Sequence, residues 1–277
     1  MFSFKGNGFE FPLNTRTYIM GILNITPNSF FDGGKYNSLK TAVEHCEEMQ
    51  LQGADIIDVG ANSTNPKAEI LTEEEELEIV KELLPEIVKN CLTPVSVDTF
   101  YPSVAEFALE NGVNIINDVS GRFNPDMAKL IKEYNAGYIV MHNPAFSSSE
   151  VTDYTQQGGA VKSVNSFFNE MQTKLCDYGV NAESICYDMG IGFSKSHKDN
   201  IELIKNIKAL KNENRALLCA LSCKRVTGIP TSAEGEDRLY PTIAADTLAI
   251  AGGADFIRVH HVKEAVLAAK MADEIVR

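Results

Sequence analysis

Hydrophobic and polar positions repeat along the chain. Eight short apolar and β-branched runs are each bounded by turn residues, and stretches with apolar spacing of three and four lie between them. The runs are residues 18–23 (YIMGIL), 55–59 (DIIDV), 94–97 (PVSV), 113–116 (VNII), 138–141 (YIVM), 184–187 (SICY), 216–221 (ALLCAL) and 255–257 (DFI). They do not alternate strictly, so both faces are expected to be buried, as in a parallel sheet. Residues 41–51, 75–88 and 201–210 carry helical spacing. Thr72 with Glu75 three residues on predicts a capping box, and the acidic run from Glu73 to Glu76 suits the positive end of that helix. Strand and helix alternate throughout, which predicts an α/β fold. Eight such units in 277 residues, against about 250 for a typical (β/α)8 barrel, predict one TIM barrel domain over residues 1–277.

Composition narrows the function. No apolar run approaches the roughly 20 residues that span a bilayer, so no membrane partner is expected. The amino-terminal MFSFKGNGFEF has no basic region followed by an apolar core, so the expected location is cytoplasmic. A formal charge of −13 argues against nucleic acid, whose binding depends on patches of Lys and Arg. Any positive charge for an anionic substrate must therefore be local. The six cysteines, Cys46, Cys91, Cys176, Cys186, Cys219 and Cys223, contain no CxxC pair and are expected to be reduced.

Almost every run ends in a residue suited to small-molecule chemistry: Asn24, Gly60, Asp98, Asn117, His142, Asp188, Ser222 with Lys224, and Arg258 with His260. In a (β/α)8 barrel those ends form one rim, where active sites lie. Singly, Asp98 and Asn117 could satisfy backbone groups, Asp188 could cap a turn before Gly190, and Lys224 could be solvated. Their convergence favours a pocket. Arg258 and His260 are two apart and share a face if the strand runs through them, whereas His261 points away. Residues 26–37, 61–71 and 143–156 read as polar loops on the same side, either lids or ordinary surface connections, and Gly33-Gly34 could supply a hinge in the first.

Eight blocks carry a family resemblance: MGILNITPNSFFDGG at 20–34, GADIIDVG at 53–60, SVDT at 96–99, INDVSG at 116–121, MH at 141–142, DMGIGFSK at 188–195, SCKR at 222–225 and RVH at 258–260. In this order, each at a strand end, they resemble dihydropteroate synthase. The resemblance implies a transferase of folate biosynthesis that joins 6-hydroxymethyl-7,8-dihydropterin pyrophosphate to 4-aminobenzoate, releasing pyrophosphate. It implies pterin contacts from Asp98, Asn117, Asp188 and Lys224; a carboxylate such as Asp188 accepts a pair of hydrogen bonds from the amino-pyrimidinone edge. Thr64, Ser222, Arg258 and His260 fall on the diphosphate and aminobenzoate side, with Arg258, His260 and Lys224 as the expected catalytic groups. Asn24 matches the residue associated with Mg2+, an ion that needs few protein ligands. Members of the family often form homodimers.

The departures from the family pattern are local. The usual Glu-Ser-Thr-Arg-Pro loop reads Asn62-Ser63-Thr64-Asn65-Pro66, the usual Ser-Arg-Lys reads Ser222-Cys223-Lys224, Met189 replaces a Pro, and Asn28 replaces an Asp. Lys67 or Arg225 could compensate for the lost guanidinium groups. Two other classes stay open: a pterin-dependent methyltransferase, and a paralogue that binds pterin without catalysis or takes another second substrate. The Arg258-x-His260 pair counts against the first, and the losses at Asn65 and Cys223 favour the second. A metal enzyme built on Cys219, Cys223, His260 and His261 is disfavoured, because Cys219 lies in an apolar run.

Overall fold

The eight runs form a closed parallel barrel. The computed structural model describes residues 2–25, 35–62, 70–146 and 151–277. A hairpin, β1 (Ser3–Gly6) and β2 (Phe9–Pro12), precedes the barrel strands β3 (Tyr18–Asn24), β4 (Ile56–Gly60), β5 (Val95–Asp98), β6 (Ile115–Asp118), β7 (Gly137–Met141), β8 (Ile185–Asp188), β9 (Ala216–Cys219) and β10 (Phe256–Val259). Strands β3 to β10 pair in sequence order, and β10 closes on β3. Between and after them lie α1 (Lys35–Gln52), α2 (Glu73–Asn90), α3 (Pro102–Glu110), α4 (Pro125–Glu133), α5 (Ala160–Tyr178), α6 (His197–Lys205), α7 (Ile207–Leu210), α8 (Arg225–Gly228), α9 (Leu239–Ala251) and α10 (Val262–Val276). The register sets strand ends side by side, Gly60 by Asp98, Asp98 by Asn117, and Met141 by Asp188.

Residues two apart on a strand share a face, so each strand contributes to successive layers inside the barrel. The lower layer is apolar and includes Met20, Ile56, Ile115, Ile139, Cys186, Leu218 and Phe256. One step up the same strands stand buried polar groups, among them Asp58, Asn117 and Asp188, with Arg258 following Phe256. The opposite parity, including Ile57, Val59, Val97 and Leu217, packs against the helices. An apolar plug therefore supports a charged layer.

The hairpin is the element missing from the hydrophobic pattern. Its Phe4, Phe9 and Phe11 pack into the lower layer, with the Phe4 and Phe11 rings edge-on to Phe256 at 5.5 and 5.6 Å. Its alternation is too short to separate from a polar leader by sequence alone. The Thr72 capping box is present: Glu75 N donates to Thr72 Oγ1 at 3.3 Å and Thr72 N donates to Glu75 Oε2 at 2.8 Å. Residues 201–210, expected as one helix, break at Asn206 into α6 and α7; its amide donates to the Glu202 carbonyl at 2.7 Å, competing with the backbone ladder.

Two cysteines depart from the reduced state expected of them. Cys46 in α1 and Cys91 at the end of α2 are joined by a disulfide, because the two helices pack side by side and bring together residues 45 apart in sequence. Cys176, Cys186, Cys219 and Cys223 are free, and Cys219 is a fully buried wall residue as its apolar run predicts. Among the described residues no helix is long and apolar enough to cross a membrane.

Asp246 in α9 is buried with neither carboxylate oxygen hydrogen-bonded among the described residues, and burial holds its pKa well above the usual carboxylate range. A carboxyl whose folded pKa is raised favours the fold at pH below its unfolded value and loses that advantage as pH rises. Asp246→Ala is therefore expected to stabilise the protein at pH 7 by roughly 1–3 kcal/mol, the range for an unsatisfied buried polar group, and by less at pH 4. Equal urea-unfolding gains at the two pH values would refute this.

Candidate active site

The charged layer centres on Arg258. From β10 its Nε donates to Asp58 Oδ2 on β4 at 2.6 Å, and its Nη2 donates to Asp98 Oδ2 on β5 at 2.8 Å. Asn117 on β6 donates from Nδ2 to the same Asp58 oxygen at 3.1 Å. Burial alone would lower the guanidinium pKa, but Asp58 and Asp98 outweigh it and hold the group above its ordinary value. Burial raises Asp98, and Arg258 opposes that shift. A guanidinium between two carboxylates keeps its charge in a site that water reaches poorly.

The segment after β8 supplies the second group. Asp188 Oδ1 accepts from Gly190 N at 2.8 Å, so it does cap the turn. Gly190 has φ +67°, and a Cβ there would lie 2.1 Å from the His142 carbonyl oxygen. Only glycine fits this turn. Lys195 closes the loop from behind, its buried Nζ donating to the carbonyls of His142, Gly190 and Phe193 at 3.0, 2.9 and 3.0 Å. Lys224, the cap residue of α8, donates to Ile191 O at 2.7 Å and lies 5.0 Å from the centre of the Phe193 ring.

Asp188 and Lys224 act on each other through space. Burial raises the Asp188 pKa, against the pull of Lys224 and the Gly190 amide. Burial likewise pushes Lys224 down to about 8, while Asp188 opposes the fall. Each group thus favours the charged form of the other against the effect of burial.

The rim beyond β9 and β10 holds Ser222 and His260. Ser222 Oγ lies 2.9 Å from His260 Nδ1 and accepts from His260 N at 3.2 Å. Strand β10 ends at Val259, so His260 turns to Ser222 while Arg258 reaches inward to the acids. Loss of solvent around the ring, then Arg258, His261 and Lys224, push the His260 pKa down to about 4. At pH 7 it is neutral and offers a hydrogen bond, with no charge of its own.

A sequence model for pterin binding enzymes matches residues 20–260. A dihydropteroate synthase of Clostridium beijerinckii is 42% identical over 270 residues, covering 97% of each chain. One from Bacillus subtilis is 38% identical and covers 93% of this chain and 88% of its own. The chain belongs to the dihydropteroate synthase family. A dihydropteroate synthase crystal structure from Clostridium difficile, obtained in the presence of pteroic acid, superposes with a TM-score of 0.90 at 39% identity, covering 96% of this chain and 99% of that one. A Xanthomonas albilineans synthase solved with 4-aminobenzoic acid gives 0.86 at 33% identity, covering 94% and 93%.

Most residues that the dihydropteroate synthase pattern marks are brought together. Asp98, Asn117 and Arg258 share one network through Asp58, Asp188 and Lys224 act on each other through space, and Ser222 pairs with His260. Asn24 is exposed at the end of β3, next to Gly60 in register. Among the described residues no group of three or more His, Cys, Asp or Glu could hold a metal. A lone amide oxygen at the rim suits an ion that arrives with a diphosphate and keeps its waters. Thr64, with Asn28, the Gly33-Gly34 pair, Asn65 and Lys67, lies outside the described residues.

Two participants escaped the sequence reading. Asp58 sits inside an apolar run, and its only signal is an inward parity two residues before Gly60. Lys195 gave no signal beyond its place in the DMGIGFSK block. Asn62, where the synthase family usually has Glu, accepts from Leu71 N at 2.8 Å and donates from Nδ2 to Glu76 Oε2. Burial raises the Glu76 pKa to about 7, partly offset by Thr99. An amide at position 62 answers that buried carboxyl, where a second carboxylate would repel it. Cys223, in place of the family Arg, has φ +57°; its amide donates to Thr242 Oγ1 at 3.1 Å and its carbonyl accepts from Arg238 Nη1 at 3.1 Å. The turn at Cys223 is thus held by its backbone.

Proposed function

We infer that the protein condenses 6-hydroxymethyl-7,8-dihydropterin pyrophosphate with 4-aminobenzoate to give 7,8-dihydropteroate and pyrophosphate, a transferase step of folate biosynthesis. The observation that carries this reading is the Asp98–Arg258–Asn117 network joined through Asp58, with Asp188 and Lys224 acting on each other through space, in a chain of this family. We further propose that residues 1–277 act as one pterin-binding domain. In the site, Asp188 accepts from the amino-pyrimidinone edge, Asn117 and Asp98 bind the same ring system, and Lys224 donates to a ring oxygen or nitrogen.

The C–O bond between the pterin methylene and the diphosphate breaks, its electrons leave with the diphosphate, and the aromatic amine forms the new C–N bond and loses a proton. The amine is already a nucleophile, so placement and leaving-group stabilisation supply most of the rate. Arg258 brings charge to the departing diphosphate, neutral His260 donates a hydrogen bond, and Ser222 orients the His260 ring. Thr64 is assigned to the same side. Asn24 would hold Mg2+, which when bound offsets diphosphate charge.

The test is pyrophosphate release from the dihydropterin pyrophosphate with magnesium, with and without 4-aminobenzoate. Release that requires aminobenzoate is expected. Its absence in folded protein would favour a non-catalytic or altered-substrate pterin binder, the reading to which the neutral Cys223 gives most support. A homodimer is part of the proposal: Leu248 on α9 and Leu267, Met271 and Ile275 on α10 leave an exposed apolar stripe on helices that pack together. Sedimentation at a single-chain mass would overturn it. A cytoplasmic location is also proposed, and fractionation would check it.

A further inference from the structure

Asp58 lies on β4 between the two halves of the site. Its single oxygen Oδ2 accepts from Arg258 Nε at 2.6 Å and from Asn117 Nδ2 at 3.1 Å. β10 lies two strands away on one side of β4 and β6 two strands away on the other, so one atom links groups that meet nowhere else by direct hydrogen bond. The side chain is fully buried, and Oδ1 has no hydrogen-bond partner among the described residues. Arg258 passes the link on through Nη2 to Asp98, the register neighbour of Asn117.

We propose that Asp58 is a positioning residue of the reaction: through Oδ2 it sets the diphosphate-side Arg258 and the pterin-side Asn117 in fixed relation, without touching substrate. The proposal rests on the reading above for the roles of those two residues. Its physical basis is the choice open to a long guanidinium. With an acceptor for Nε and another for Nη2, the plane of the group is defined at two points; with Asp98 alone it can rotate about one bond. Asp98 would then be drawn by Arg258 away from any pterin contact. Misplacement of this kind acts on the reacting geometry more than on ground-state binding.

Asp58→Asn preserves shape and removes the charge. It is expected to lower kcat by roughly tenfold to a hundredfold, the range of one lost charge-assisted hydrogen bond, with a smaller change in KM for the dihydropterin pyrophosphate. Position through Arg258 also predicts non-additivity: in an Arg258→Gln background, Asp58→Asn should cost less than about threefold more. Multiplicative losses, or an unchanged kcat in Asp58→Asn, would overturn the proposal. Should Asp58→Asn fail to fold, Arg258→Gln and Asn117→Ala are compared singly and together. Coupling above about threefold between these two non-contacting residues is expected, and additive losses overturn the link. Wild-type turnover in the same assay tests the reaction itself, so failure of the function and failure of the Asp58 role give different results.

Discussion

Arg258→Ala is expected to destabilise the protein by about 3–5 kcal/mol, the usual cost of removing one partner from a buried ion pair, and to lower turnover by at least roughly a hundredfold. Asp58 and Asp98 both lean on this guanidinium, at 2.6 and 2.8 Å, in the middle of the barrel. Without it two buried carboxylates face each other with no cation hydrogen-bonded to either. The cheapest response is uptake of a proton. Asp98 is already raised by burial and would rise further once the opposing pull of Arg258 is gone. A carboxyl with a raised folded pKa favours the fold below its unfolded pKa, about 3.9 for Asp, and loses that contribution as pH rises. The gap in stability between variant and wild type should therefore be widest at pH 8 and narrowest near pH 4. Urea unfolding at pH 8, 6 and 4 measures it; a gap independent of pH, or below about 1 kcal/mol throughout, would show that the acids find another partner.

Asp188→Ala has the opposite profile, with binding lost and the fold kept. Pterin affinity is expected to fall by two to three orders of magnitude, since two hydrogen bonds to a charged acceptor contribute about 1.5–3 kcal/mol each. The fold loses one bond, from Gly190 N, and is relieved of a buried carboxylate, so the unfolding midpoint should move little. Lys224 provides a second readout. Asp188 is what supports its pKa against burial at about 8, and without that carboxylate the value falls below this. The alkaline limb of pterin binding should shift to lower pH in the variant. Fluorescence titration of pterin at several pH values would decide it, and affinity within threefold of wild type would remove Asp188 as the anchor.

The two variants separate roles that a sequence motif merges. Arg258 and Asp188 both end apolar runs and both belong to the family pattern. Arg258 also carries part of the fold, because its Nε and Nη2 are bound within the barrel by Asp58 and Asp98. Asp188 is held by a single backbone amide and a distant lysine, which leaves it available to a ligand.

Position along the chain made some of these roles legible. Asp98, Asn117, Asp188, Ser222, Lys224, Arg258 and His260 stood out because each follows an apolar run, and a run buried on both faces must stop where the sheet meets solvent. Asp58 and Lys195 did not stand out. A buried charge within a run looks like an interruption until its partners are known, and these include Arg258, 200 residues away, for Asp58 and the His142 carbonyl of another loop for Lys195. The pairing of Cys46 with Cys91 was hidden for a similar reason, since it depends on which helices become neighbours.

The sequence by itself determined the eight-unit barrel, the strand order that follows from alternation, the capping of α2 and the rim on which the polar groups gather. These follow from local rules: apolar periodicity, turn chemistry and the short reach of a side chain to its own backbone. Tertiary structure decided which polar groups share an atom, which of them keep their charge, and which are free to meet substrate. Hydrogen bonds and desolvation act over a few ångströms in space, and in a closed barrel those ångströms join residues from opposite ends of the chain.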